Sequence, residues 1–264
     1  MKNRDSSKID KVYAKPISDL QDYEFNSQVA VVFQDMLERS IPGYFVMLEL
    51  TKLLTERFAK PNTNIYDLGC SLGETIKHVH ASLPNNCQVI GVEKSLPMVE
   101  QCKANLEPVQ NKANIAIRHE DLLDTKIENA SLVIMNLTLQ FIPLEDRDAV
   151  LKKIANGLTD DGLLLLYEKV TFEDADEQLL LNRLYFDFKL ANGYSKLEIA
   201  QKREALENVF WLLRMVGLSN IDNKIPRYPH QLSGGQRQRA MTVSYTHLRA
   251  HETRGNLVCR LLLE

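Results

Sequence analysis

The residues whose types and spacing could do chemistry stand at the ends of short apolar runs. In "YDLGCSLGE" (66–74) one such run enters Gly69-x-x-x-Gly73 and then a stretch with helical spacing. Glycines there let the backbone bend and approach a ligand closely, and a helix N-terminus offers unpaired N–H groups. About 20 residues further on, Glu93 ends the next run, the place where a carboxylate can take two ribose hydroxyls in a bidentate hydrogen bond. Asp121 ends the third run, where a carboxylate or its neighbouring backbone can read an adenine edge, and Asn136 ends the fourth. Singly, each reads as a loop residue or a cap, and the glycines as an ordinary turn. In this order, at the carboxyl ends of parallel strands, they mark where an open α/β sheet binds its ligand. The turn is not GxGxxG, which disfavours a nicotinamide dinucleotide.

Other reactive side chains have plainer readings. Cys70 sits in the glycine turn without a paired His nearby in sequence, so a nucleophilic thiol is disfavoured. His78 and His80 read as surface residues rather than metal ligands, and no metal is expected. Arg203, within "IAQKREALE", reads by itself as part of a solvated helix face, and Tyr44 after "IPG" as a turn aromatic packing on the core. The four cysteines show no CxxC pairing, and neither a signal peptide nor an 18-residue apolar run is present; a soluble protein of the reducing cytoplasm is expected, with no membrane partner.

The elements that must position these residues follow from five strand-length runs, 64–69, 88–93, 114–121, 131–136 and 163–169. They are separated by 73–83, 95–107 and 145–158, which have helical spacing. That rhythm predicts an α/β fold, a Rossmann-like doubly wound parallel sheet. Val29, Val32, Phe33, Met36 and Leu37 share a helical face and predict a helical cap over 1–60, and 174–208 reads as helices broken at 191–195. Charge is uneven: 224–264 hold seven Lys/Arg against two Asp/Glu, leaving 25 against 33 for 1–223. An acidic body argues against direct nucleic-acid binding.

The order of glycine turn, acidic strand ends and asparagine is that of class I S-adenosylmethionine-dependent enzymes. Residues 25–44 ("FNSQVAVVFQDMLERSIPGY"), "YDLGCSLG", "NASLVIMNLTLQFI" (129–142), "YEKVTFED" (167–174) and "FKLANGYSKLEIAQKREALENV" (188–209) resemble the carboxy-S-adenosyl-L-methionine synthase family, over about 15–209. Two departures stand out: Glu93-Lys94 replaces the usual Asp-Asn pair, and Leu190 stands where that family tends to have Arg. The resemblance implies that Tyr44, Gly69, Cys70, Ser71, Glu93, Lys94, Asp121, Leu122 and Asn136 line an S-adenosyl-L-methionine site, and that Arg203 is a catalytic residue holding the carboxylate being installed. An arginine suits that role because its planar fork pairs bidentately with a carboxylate. The resemblance further implies prephenate as carboxyl donor, phenylpyruvate as by-product, a homodimer, and a product passed to a tRNA carboxymethyltransferase that modifies wobble uridines. A small-molecule methyltransferase is the alternative, and it would need no carboxylate clamp at Arg203.

Beyond 209 the composition changes. Residues 211–241, with "YPHQLSGGQRQRAM" (228–241), resemble the signature region of an ATP-binding cassette ATPase of the dipeptide-importer type. No GxxxxGK[ST] loop accompanies them, so ATP would lack a phosphate cradle in the same chain. Residues 242–264 resemble translated sequencing-adaptor DNA. The expected organisation is a cap over 1–60, a ligand-binding domain over 61–209, a foreign fragment over 210–241 and an artefactual tail over 242–264, with the closing strands of the sheet missing. Residues 224–264 are expected to pack poorly, and an ATP-binding fragment is the remaining alternative for the chain.

Overall fold

A computed structural model of the chain describes residues 8–206, apart from 18, 19, 21, 22, 111–113 and 171. The expectations for 210–264, including the foreign fragment, the tail and their packing, lie outside the described residues. The described residues divide into two units, one of 8–12 with 24–169, the other of 13–23 with 170–206.

In the first unit, β1 (Asn64–Leu68), β2 (Gln88–Glu93), β3 (Asn114–His119), β4 (Ala130–Asn136) and β5 (Leu158–Tyr167) form one sheet in the order β3-β2-β1-β4-β5. Every neighbouring pair is parallel. Six of the seven residues of β4 are buried, as expected for a central strand covered on both faces. One face carries Leu68, Ile90, Val133 and Met135 with Val150 and Ile154 of α5 (Leu144–Gly157). The other carries Ile65, Val89, Leu132 and Ile134 with Ile76 of α3 (Glu74–Val79) and Cys102 and Leu106 of α4 (Leu96–Gln110). Helices on both faces and a reversal of strand order beside β1 make the sheet doubly wound, so the predicted class holds.

Ahead of the sheet lie α1 (Ser27–Ser40) and α2 (Tyr44–Phe58), separated by Ile41, Pro42 and Gly43, the last at φ 74°. Asn26 caps α1, its side-chain oxygen accepting from the N–H groups of Gln28 and Val29. Buried Arg39 donates to Asp35 at 3.1 Å and to the Asp10 carbonyl, while the Asp10 N–H donates to Asp35 at 2.9 Å. One ion pair thereby anchors the residues before 13 to α1.

Three boundaries differ from expectation. β5 begins at Leu158 rather than 163, because its register on β4 jumps from Leu158 to Leu163. The polar "TDDG" between them, which reads as a turn, is absorbed into the irregularity. β3 ends at His119, so Asp121 opens a turn instead of ending the strand. α3 has only six residues before a 3-10 turn at His80–Ser82. Among the described residues β5 has one strand neighbour and is mostly half-exposed, in contrast to β4.

In the second unit α6 (Ala175–Ala191) and α7 (Lys196–Leu206) are broken at Gly193, φ 87°, as expected. Gln201 of α7 holds the segment beside it: its amide donates to the Tyr13 and Lys15 carbonyls at 2.9 Å and its oxygen accepts from the Ile17 N–H. No helix among the described residues is long and apolar enough to cross a membrane.

Candidate functional site

The carboxyl ends of β1, β2 and β4 build one crevice edge. In the parallel register Asp67 of β1 stands between Gly91 of β2 and Ile134 of β4. Glu93 and Asn136 lie two residues further along those flanking strands, and side chains two apart share a face. That face is the one covered by α3, since the Asn136 amide donates to Thr75 Oγ1 at 2.9 Å.

From Asp67 the chain enters the glycine turn. Gly69 and Gly73 both adopt φ 79° and Ser71 adopts φ 50°, left-handed values that glycine reaches without penalty. At Gly69 a Cβ would also meet Thr138 Oγ1 at 2.5 Å. The loop after β4 therefore closes directly on the turn, with Leu137 strained to φ 57°. Thr138 is placed by Glu168, just past β5, whose carboxylate accepts from the Leu139 N–H at 2.6 Å. Burial pushes the Glu168 carboxyl up to about 7.

Glu93 locks the turn to β2. Its Oε2 accepts from the Ser71 N–H at 3.0 Å and its Oε1 from the Ser95 N–H at 2.8 Å. Burial holds its carboxyl above the usual range, and those two N–H groups oppose the rise. Lys94 is exposed and pairs with Asp121 at 2.6 Å, and that hydrogen bond holds the Asp121 carboxyl below its usual value. Asp121 Oδ1 also accepts from the Leu123 N–H, and Leu122, half-buried, presents backbone between them. Tyr44, the first residue of α2, is buried, and burial raises its phenol well above the ordinary value; Asp67 and Glu74 add to that rise.

Cys70 is buried with its Sγ against Cys102, and that hydrogen bond, followed by burial, raises its thiol well above the ordinary range. Such a thiol packs and does not attack. His78 and His80 each use Nδ1 on a backbone carbonyl of α3, Glu74 and Lys77 respectively. The short α3, with Glu74 in its first turn, offers little of the anion site a longer helix would.

Nine of the ten predicted site residues thus belong to the first unit, and six of them, Gly69, Cys70, Ser71, Glu93, Lys94 and Asp121, are linked in a chain along β1, β2 and β3. Arg203 is exposed on α7, in the second unit. Sequence reasoning missed Asp67. It is 2% exposed, and its Oδ2, together with Ser71 Oγ and Asn136 Oδ1, is buried without a hydrogen-bond partner. A carboxylate inside the apolar strand "NIYDLG" was the available signal, since a buried charge without a partner is costly. Glu168 and Thr138 were within quoted stretches but carried no role.

These orphaned atoms test the fit of a nucleoside ligand with an amino-acid end. Glu93 at the end of β2 is ready for hydroxyls, and the β1–β4 side offers acceptors lacking donors, so the residues present fit S-adenosyl-L-methionine.

A family model described as a methyltransferase domain matches residues 65–162. The carboxy-S-adenosyl-L-methionine synthase of Shewanella oneidensis is 47% identical over 201 residues, 76% of this chain and 83% of its own. That of Aliivibrio fischeri is 46% identical over 201 residues, with the same coverage. A solved Methanococcus maripaludis structure, named for S-adenosyl-L-methionine-dependent methyl transfer, is 16% identical, covers 74% of this chain and 88% of its own, and has a TM-score of 0.45.

Proposed function

Because the chain belongs to the carboxy-S-adenosyl-L-methionine synthase family, we propose that its first unit binds S-adenosyl-L-methionine at the glycine turn and that the enzyme replaces a methyl hydrogen of that ligand with a carboxyl group. The chain is an S-adenosyl-L-methionine-dependent transferase. The observation that carries the site is the Glu93 carboxylate held between the Ser71 and Ser95 N–H groups at the foot of the glycine turn. Its fixed oxygens keep further lone pairs for the ribose hydroxyls, while Asp121, Leu122 and Lys94 supply the edge for adenine and Tyr44, Gly69, Cys70 and Asn136 the remaining wall. The sulfonium of the bound ligand makes its methyl group acidic. The protein's contribution is placement and charge.

Prephenate is proposed as the carboxyl donor, leaving as phenylpyruvate, and Arg203 as the residue that grips the installed carboxylate. A homodimer, a cytoplasmic setting and transfer of the product to a tRNA carboxymethyltransferase complete the reading, with no nucleic acid bound by this chain itself. The likeness of 211–241 to an ATP-binding cassette fragment and of 242–264 to adaptor sequence is proposed to have no part in it; the relatives match 201 of the 264 residues.

Incubating the purified chain with S-adenosyl-L-methionine and prephenate, then weighing the nucleoside product, tests this. A product heavier by one carbon dioxide is expected. Methyl loss to an acceptor, with no such product, would establish a methyltransferase instead. Arg203→Ala is expected to weaken the carboxylated product by about 1.5–3 kcal/mol, the worth of a charged bidentate hydrogen bond, and S-adenosyl-L-methionine by much less. Equal weakening in calorimetry would remove Arg203 from its role.

A further inference from the structure

The loop after β4 is held in a conformation it would not adopt by itself. Leu137, at φ 57°, is a non-glycine residue in the left-handed region, and strain of that kind persists only where the surroundings over-determine it. Here they do: the Leu137 N–H donates to the Tyr167 carbonyl at 2.8 Å, and the Leu137 carbonyl accepts from the Gln140 side-chain amide at 2.8 Å. The 3-10 turn Leu139–Phe141 that follows is gripped from both ends. Glu168 accepts from the N–H groups of Leu139, at 2.6 Å, and Gln140. Buried Arg147 of α5 donates through Nε to the Ile142 carbonyl at 2.9 Å and through Nη2 to the Gln140 carbonyl at 3.3 Å. Two parts of the crevice hang on this turn. Thr138 ahead of it packs on Gly69, and Phe141 at its end meets Phe25 edge-on, with ring centroids 5.3 Å apart. The Phe25 carbonyl accepts from Ser95 Oγ at 2.6 Å, and the Ser95 N–H is bound to Glu93, so the turn reaches both sides of the crevice.

We propose that Glu168 and Arg147 are positioning residues for the ligand: ionised Glu168 and the Arg147 fork clamp the turn from opposite ends, and the clamped turn holds Thr138 on Gly69 and Phe141 on Phe25 in the arrangement that binds S-adenosyl-L-methionine. The inference rests on the functional reading above and deepens it. Neither residue touches the ligand in this role; each acts through the turn.

The chemistry of the grip favours the ionised form of Glu168. A carboxylate only accepts, whereas a protonated carboxyl brings an O–H of its own toward the two N–H groups. The charged groups facing Glu168 are Arg147 from α5 and Lys169 beside it in the chain, and the turn carries no titratable side chain. Burial, the largest influence, lifts the Glu168 carboxyl to about 7, and the two N–H groups and the two cations oppose that rise. The ligand-free chain therefore takes up a proton on Glu168 as pH falls through that value, and the clamp slackens. Because the binding form carries fewer protons, affinity rises with pH across the same range.

Titration calorimetry of the full chain with S-adenosyl-L-methionine and S-adenosylhomocysteine at pH 6 and pH 8, where circular dichroism shows each protein folded, tests the clamp. Glu168→Gln is expected to bind either ligand about tenfold more weakly than wild type at pH 8, and within about twofold of it at pH 6, where wild type has largely lost the same charge. Asp67 and Glu93 are present in both proteins, so the ratio isolates Glu168. Arg147→Lys, which keeps a charge but cannot fork between two carbonyls, is expected to lose about threefold at pH 8. In wild type alone, the Leu139 and Gln140 amide proton resonances are expected to titrate with a midpoint of about 7, a readout that stands even if either variant folds poorly. Equal affinity of Glu168→Gln and wild type at pH 8 would reduce Glu168 to a structural residue and overturn the inference. An equal loss at both pH values, no loss in Arg147→Lys, or the absence of that midpoint would overturn it as well, each leaving the functional reading intact. Failure of wild type to bind either ligand overturns that reading and the inference with it.

Discussion

The β2–β3 side of the crevice and the β1–β4 side are built from the same kinds of residue in opposite states. On the β2–β3 side every carboxylate is engaged: Glu93 holds two backbone N–H groups and Asp121 a lysine and a backbone N–H. On the β1–β4 side Asp67 and Asn136 each leave a sealed oxygen without a partner. Ser71 joins the two, its N–H spent on Glu93 and its hydroxyl unpartnered. The first side is organised by the protein's own backbone before any ligand arrives. The second is left with sealed polar atoms that the protein itself does not pair, and such atoms cost stability.

The largest expected effect breaks the joint between the sides. Gly69→Ala places a Cβ 2.5 Å from Thr138 Oγ1 at a left-handed φ of 79°. Backbone strain and the displaced Thr138 together are expected to cost on the order of 3–5 kcal/mol, measured by denaturant unfolding, with ligand affinity falling at least about 100-fold. An intact affinity would show that the turn and the loop after β4 need not meet.

The next effect isolates the unfinished side. Asp67 has its folded value raised to about 7 from an ordinary value near 4, so the folded state favours the proton. Its contribution to stability is fully present below about pH 4 and is lost as pH climbs through 7. Asp67→Asn is expected to remove that loss, making the difference between variant and wild type shift in the variant's favour by on the order of 2–3 kcal/mol from pH 4 to pH 8. Glu168, raised in the same way, remains in both proteins and cancels. Parallel stability curves would mean that Asp67 is not held neutral.

Much of this was legible in the sequence, for a physical reason. Parallel strands buried on both faces read as unbroken apolar runs, so β1, β2 and β4 fall within one residue of their expected limits. Glu93 and Asn136 were placed correctly because a strand end is where polarity returns. The misplacements share an opposite cause. "TDDG" within β5 is polar because the strand is irregular there, and α2 follows α1 after only Ile41, Pro42 and the left-handed Gly43. Asp67 escaped because its meaning lies in a missing partner, which no residue spacing encodes. Arg203 drew its role from resemblance alone, since a charged residue on a helix says nothing of what it faces.

The smallest expected effect sharpens the finished side. Lys94 stands where the family tends to have Asn, and beside Glu93, which keeps the carboxylate, it is the departure that brings a new charge to the crevice, pairing with Asp121. The lysine side chain is 79% exposed, so the pair is screened by solvent, and pairs of that kind contribute little. Lys94→Asn is therefore expected to change unfolding free energy by no more than about 0.5 kcal/mol and ligand affinity by less than about threefold, because Asp121 keeps its bond from the Leu123 N–H. What should move is the titration of Asp121. Its carboxyl is held below the ordinary range chiefly by Lys94, so in the variant its carbon resonance should titrate at higher pH, closer to an ordinary aspartate. A tenfold loss of affinity in Lys94→Asn would place the lysine on the ligand and not merely on Asp121. The β2–β3 side would then be unfinished as well, and the contrast between the two sides of the crevice would collapse.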